Sequence, residues 1–93
     1  SYRFTSIYPT IIAFKTHQTE YGNATSIQIL SDEQLKAHIT KVPALLLCLT
    51  GEAIFKNENG IKLIMMAGDY VSIEPNTKHW INAKSTSNLI LIK

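Results

Sequence analysis

Few residues in this chain can do chemistry. It holds three histidines, His17, His38 and His79, and one cysteine, Cys48. Imidazole titrates near neutral pH and serves as a general base or a metal ligand. A thiol can do either job as thiolate, but a lone cysteine more often packs as a small buried hydrophobe. With one cysteine there is no intramolecular disulfide, and no CxxC pair for metal or redox work. His17 opens a polar stretch running to Asn23, which suits an exposed turn. His38 stands two residues before Thr40, and residues two apart on a strand share a face. If that alternation survives Pro43, then Ala44, Leu46 and Cys48 continue the same face. No nucleophile–base–orienter set and no phosphate-binding loop is visible.

The elements that must position these groups have a strand period, not a helix period. Thr10 to Thr16 reads as a strand, His17 to Asn23 as a polar turn, and Thr25 to Leu30 as a half-buried strand. Ser31-Asp32-Glu33-Gln34 carries a helix-start signal. Ile39 and Thr40 favour extended chain soon after, so a polar loop is expected there instead. A strand from Lys36 is interrupted by Pro43, which points to an edge or a bulge. Leu45 to Leu49 and Ile61 to Met66 are apolar on both faces. Between them lie a bend at Thr50-Gly51-Glu52, a strand at Ala53 to Lys56, and an Asn59-Gly60 hairpin turn. Ala67-Gly68-Asp69 and Pro75-Asn76-Thr77 are turns around a strand at Tyr70 to Ile73. Strands at His79 to Ala83 and Leu89 to Ile92 flank a polar loop at Lys84 to Asn88. Many short strands at regular spacing predict an all-β sandwich or barrel. A strand apolar on both faces needs cover on both. In a chain this small the outer cover is expected to be a second copy, so a homodimer is expected.

The whole chain of 93 residues fits one domain, 1–93, with no room for a second core. Its 45% hydrophobic and 17% charged residues are those of an ordinary globular protein. The net charge is +2, and the nine basic residues are scattered from Arg3 to Lys93. A nucleic-acid partner needs a basic face to neutralise phosphates, so none is expected. The apolar runs are too short to span a membrane, and no signal peptide is read. The first residue is Ser1 rather than Met, which leaves room for residues ahead of it. The single thiol fits a reducing compartment, and a cytoplasmic location is expected.

From about residue 36 to 93 the chain resembles the cupin superfamily. The segment Gly68-Asp69-Tyr70-Val71-Ser72-Ile73-Glu74-Pro75-Asn76-Thr77-Lys78-His79-Trp80 is similar to the second cupin motif: glycine, strand, proline, turn, histidine. Glycine permits the turn that opens the strand, and the Pro75-Asn76 turn aims His79 back toward the interior. Counting back from Gly51, the first motif's leading histidine falls on His38. Its second histidine falls on Thr40 and its glutamate on Ala44. The resemblance implies a small cupin-type jelly roll, a double-stranded β-barrel, with His38, Thr40, Ala44 and His79 facing its interior. The family's usual metal site uses three histidines and a glutamate, and only two of those positions keep their ligand. Glu74 also occupies the slot where the motif's proline usually stands.

The expected site is therefore an apolar pocket holding His38, Thr40, Cys48 and His79, suited to a small-molecule ligand. No cofactor is predicted. Two imidazoles fall short of a zinc or non-haem iron shell. A divalent metal at His38 and His79 would need a further ligand from Cys48, Glu74 or His17. The leading expectation is a small-molecule-binding cupin-like protein with a degenerate metal site. The alternative is a small cupin enzyme of isomerase or oxygenase type, with His38 or His79 as base. A third reading fills the barrel with Leu46, Ile64 and Ile81 and leaves an interaction domain.

Overall fold

The computed structural model describes residues 2–4 and 12–93, and the side chains of residues 15–93 other than His38. The described residues form ten strands: β1 (Tyr2–Phe4), β2 (Ile12–Thr19), β3 (Gly22–Ile29), β4 (Gln34–His38), β5 (Ala44–Thr50), β6 (Ala53–Asn57), β7 (Lys62–Met65), β8 (Tyr70–Ile73), β9 (His79–Ala83) and β10 (Ser87–Ile92). They make two antiparallel sheets, one in the order β1-β2-β3-β10-β5-β8 and one in the order β4-β9-β6-β7. The architecture is the expected all-β jelly roll. Among the described residues no helix is long and apolar enough to cross a membrane.

The core sits between the sheets and follows the period of two. Ala44, Leu46 and Cys48 of β5 are buried, while Leu45 and Leu47 between them are half-buried. The alternation is regular within β5, but it does not run in unbroken from Thr40, since Val42 in the stretch between them is 48% exposed. His79, Ile81 and Ala83 of β9 and Leu89 and Leu91 of β10 complete the pattern with Ile29 and Phe55. Burying each large aliphatic or aromatic side chain contributes roughly 1.5–3 kcal/mol. That sum is what orders so many strands in so short a chain.

Three segments differ from the sequence reading. Strand β2 runs on to Thr19 and β3 starts at Gly22, so the expected polar turn shrinks to Glu20 and Tyr21. Residues 16–19 pair with 22–25 in an unbroken ladder, because backbone hydrogen bonds need no apolar side chain. Thr10 and Ile11, placed in the first strand by the sequence, lie outside the described residues. Strand β4 begins at Gln34, ends at His38, and pairs with β9 in one sheet, whereas β5 belongs to the other. The stretch from Ile39 to Pro43 is thus a crossing between sheets, where a proline without an N–H leaves no ladder bond unmade. In β7 only Met65 is buried. Ile64, expected as a core plug, is 56% exposed. It sits opposite Ile54 on the outer side of an edge strand, where none of the described residues covers it.

The bend after β5 requires its glycine. Gly51 has φ of +89°, and a Cβ there would collide with the Thr86 carbonyl oxygen. The close pass lies at the end of the β5–β10 ladder, next to its register shift between Asn88 and Leu89.

Candidate functional site

His79 opens β9, and the turn before it sets its position. Asn76 takes φ of +62°, a left-handed conformation that asparagine tolerates better than most residues. The Asn76 N–H donates to the Thr40 carbonyl at 2.7 Å, tying this turn to the crossing between the sheets. The Glu58 N–H donates to the Lys78 carbonyl at 2.9 Å, and the Lys78 N–H donates to the Glu58 carboxylate. The turn is therefore held from two sides.

The His79 side chain is 1% exposed. Its Nδ1 lies 3.2 Å from the Thr77 carbonyl oxygen. A carbonyl only accepts, so Nδ1 carries a hydrogen, and in the neutral ring the lone pair sits on Nε2. The Phe55 ring stacks on the imidazole, with centroids 5.8 Å apart and planes 24° apart. Ring plane and tautomer are both set by the surrounding chain.

A cavity of about 410 Å³ opens beside this ring. That volume lies in the range of small-ligand sites, roughly 300–1,000 Å³. Phe55, Leu63, Val71 and Ile73 give it an apolar wall, and His79, Thr77, Asn57 and Glu74 give it polar points. The Asn57 side-chain oxygen accepts from the N–H groups of Asn59 at 2.9 Å and Ile61 at 3.1 Å. Those bonds hold the β6–β7 turn at the cavity's edge.

The expected site residues are distributed as follows. His38 and His79 are direct partners in the β4–β9 ladder, and the His38 side chain lies outside the described residues. Thr40 is 2% exposed. Its hydroxyl has no hydrogen-bond partner among the described residues, and it is not part of the cavity wall. Cys48 is fully buried and lies outside that wall as well. Its sulfur approaches the carbonyls of Thr50 at 3.5 Å and Met65 at 3.9 Å. Burial, with help from the Asp69 carboxylate, pushes the thiol pKa up. Cys48 also stands four residues along β5 from Ala44, about 13 Å, and Ala44 is the residue that pairs with Ile73 beside the His79 turn. His17 is an exposed residue of β2. The sequence reading did not pick out Phe55 or Asn57. The one available signal was their place just before the Asn59-Gly60 turn, on the strand that pairs with His79.

The family's metal shell does not fit these residues. Thr40 offers a neutral hydroxyl and Ala44 a buried methyl group. Among the described residues no three His, Cys, Asp or Glu side chains converge as a metal site. Zinc and non-haem iron sites ordinarily need three protein ligands.

No protein-family model matches the sequence, and no curated protein matches it. Solved structures do. A cupin superfamily protein from Desulfitobacterium hafniense superposes with a TM-score of 0.83 at 16% identity, over 96% of this chain and 82% of that one. A protein of unknown function from Vibrio parahaemolyticus gives 0.82 at 12% identity, over 99% and 97%. An Fe(II) HppE bound to the alternative substrate (S)-1-HPP gives 0.83 at 15% identity, over all of this chain and 55% of the other. At such identities the likeness shows the fold alone. The two sheets and the cavity between them define an all-β jelly-roll barrel. More narrowly, this chain has the cupin fold.

Proposed function

We propose that this chain is a small-molecule-binding module that holds its ligand in the cavity beside His79, with His38 opposite in the ladder, and without the family's metal shell. The observation that carries this reading is the buried, oriented imidazole at the wall of a cavity of about 410 Å³. An apolar wall with a few fixed polar points is the composition of a ligand site. Glu74 at the same wall favours a hydroxylated, sugar-like ligand over an anionic one, since a carboxylate repels another. The lone buried thiol fits a reducing compartment such as the cytoplasm.

The test is a thermal-shift screen of small metabolites against the native protein and Val71→Trp, which fills the cavity from its wall. A ligand that stabilises the native protein and not the folded Val71→Trp variant supports the reading. Ligands that stabilise both equally place binding elsewhere.

One observation favours a second reading, an enzyme of isomerase type. His79 is held in one orientation at the cavity wall by the Thr77 carbonyl and the Phe55 ring, and a positioned imidazole can serve as a general base. His79→Gln would then abolish turnover of a ligand found in the screen while leaving its binding within a few fold.

A further inference from the structure

Asn57 ends β6, opposite His79 in the ladder, and lines the cavity beside it. Its side-chain oxygen accepts from two backbone donors, the N–H groups of Asn59 at 2.9 Å and Ile61 at 3.1 Å. An amide oxygen has two lone pairs, so its capacity is filled. The same two donors fix which branch of the amide is the oxygen, because an NH2 group there would set hydrogens against hydrogens. The other branch is the NH2 group, and it has no hydrogen-bond partner among the described residues. Asn57 therefore keeps only donors for a ligand, and the turn that it closes holds them in place. Elsewhere on the wall, the Thr77 hydroxyl donates to the Pro75 carbonyl at 3.4 Å. The Glu74 carboxylate is exposed at the cavity's edge. It has no hydrogen-bond or ion-pair partner among the described residues, and a carboxylate only accepts. The wall thus offers a fixed, half-buried donor and an acceptor at its rim.

On the reading that the cavity beside His79 is the ligand site, we infer that Asn57 is the residue that selects the ligand. Its NH2 group donates to an oxygen of an uncharged sugar, and another hydroxyl of that sugar donates to Glu74. Leu63, Val71 and Ile73 supply the apolar surface for the C–H face of the ring. A molecule with no acceptor at this position leaves the NH2 group unpaired, and a site built to hydrogen-bond an oxygen discriminates strongly against an analogue that lacks it. A molecule with a carboxylate in place of the second hydroxyl is repelled by Glu74.

The test follows the Asn57 side-chain NH2 signals by proton–nitrogen NMR while D-glucose, D-galactose and D-ribose are each titrated into the full chain. At least one of these sugars is expected to shift the signals saturably. Asn57→Asp keeps an oxygen for the Asn59 and Ile61 N–H groups and replaces the NH2 group by a second acceptor. It should retain the backbone signals of the turn and bind the same sugar about tenfold more weakly or worse. Glu74→Gln removes the charge and keeps a hydrogen-bonding group. It should bind that sugar within a few fold of the native chain and bind D-glucuronate more tightly than the native chain does. This charge selectivity, with the native Asn57 shift, decides the matter even if Asn57→Asp misfolds. Asn57 signals that none of the sugars moves overturn the inference, as does a folded Asn57→Asp variant with native affinity or a Glu74→Gln variant with no gain for D-glucuronate. A screened ligand that Val71→Trp excludes but that leaves the Asn57 signals unmoved keeps the cavity as the ligand site and removes Asn57 from it. A sugar that binds Val71→Trp as it binds the native chain overturns both.

Discussion

Phe55 stacks in an offset arrangement on the ring of His79, with centroids 5.8 Å apart and an angle of 24° between the planes. The two residues sit on neighbouring strands, β6 and β9, and each is almost completely buried. The stack and the Thr77 carbonyl together leave the imidazole one orientation. Phe55→Ala removes the stack and opens a void, and is expected to cost about 3–5 kcal/mol. Phe55→Leu keeps most of the volume and should cost less. Urea denaturation of both variants checks the order, and a Leu variant as unstable as the Ala variant would show that the ring stack outweighs volume.

Cys48 is expected to be inert in the folded protein. Its thiol pKa is raised by burial first and by the Asp69 carboxylate second. A thiol-specific reagent at mildly alkaline pH should therefore label it only after denaturant is added. The same shift has a pH consequence. Above the ordinary thiol pKa the unfolded chain loses its proton while the folded chain keeps it, so stability falls as pH rises from there toward the folded pKa. Cys48→Ala should lack that part of the alkaline loss, as urea midpoints at neutral and alkaline pH will show.

Two glycines with similar backbone angles should respond differently to alanine. Gly51 and Gly68 have φ of +89° and +91°. A Cβ at Gly51 meets the Thr86 carbonyl and the Ser87 backbone, whereas a Cβ at Gly68 meets nothing within 4 Å. Gly68→Ala should cost only the conformational strain, about 1 kcal/mol. Gly51→Ala adds a backbone collision and should cost clearly more. Equal losses in chemical denaturation would mean that the β5–β6 bend relaxes freely.

Thr40 is the buried polar residue whose presence the packing does not explain. Its hydroxyl is without a partner among the described residues, and an unpaired buried hydroxyl costs roughly 1–3 kcal/mol. Thr40→Val keeps the shape and removes that cost, so it is expected to leave stability unchanged or raise it by about 1 kcal/mol. A loss of that size instead would reveal a bound water or ligand on the hydroxyl.

Much of the frame was legible from residue types. The inward alternation of Ala44, Leu46 and Cys48 follows from a period of two. The turn at Pro75-Asn76 and the bend at Gly51 follow from residues that favour those backbone angles. The reading failed where pairing overrode polarity. His17 to Thr19 and Gly22 to Asn23 look like a turn, but the β2–β3 ladder takes them in. Strand β7 failed for the opposite reason. Its residues are apolar enough for a core, but its place at the edge of the sheet leaves Leu63 and Ile64 exposed.

The candidate site divides along the same line. His79, its turn and its inward direction were set by local sequence, since a glycine, a short strand and a proline–asparagine turn act within about a dozen residues. What stands around His79 was decided only by the fold. Phe55 and Asn57 come from β6 and Val71 and Ile73 from β8, and Cys48, one strand period from Leu46, ends up along β5 away from them. Alternation tells which side of a strand a residue faces. How far along the barrel it lies depends on the register between strands, and that is settled by pairing across the whole molecule.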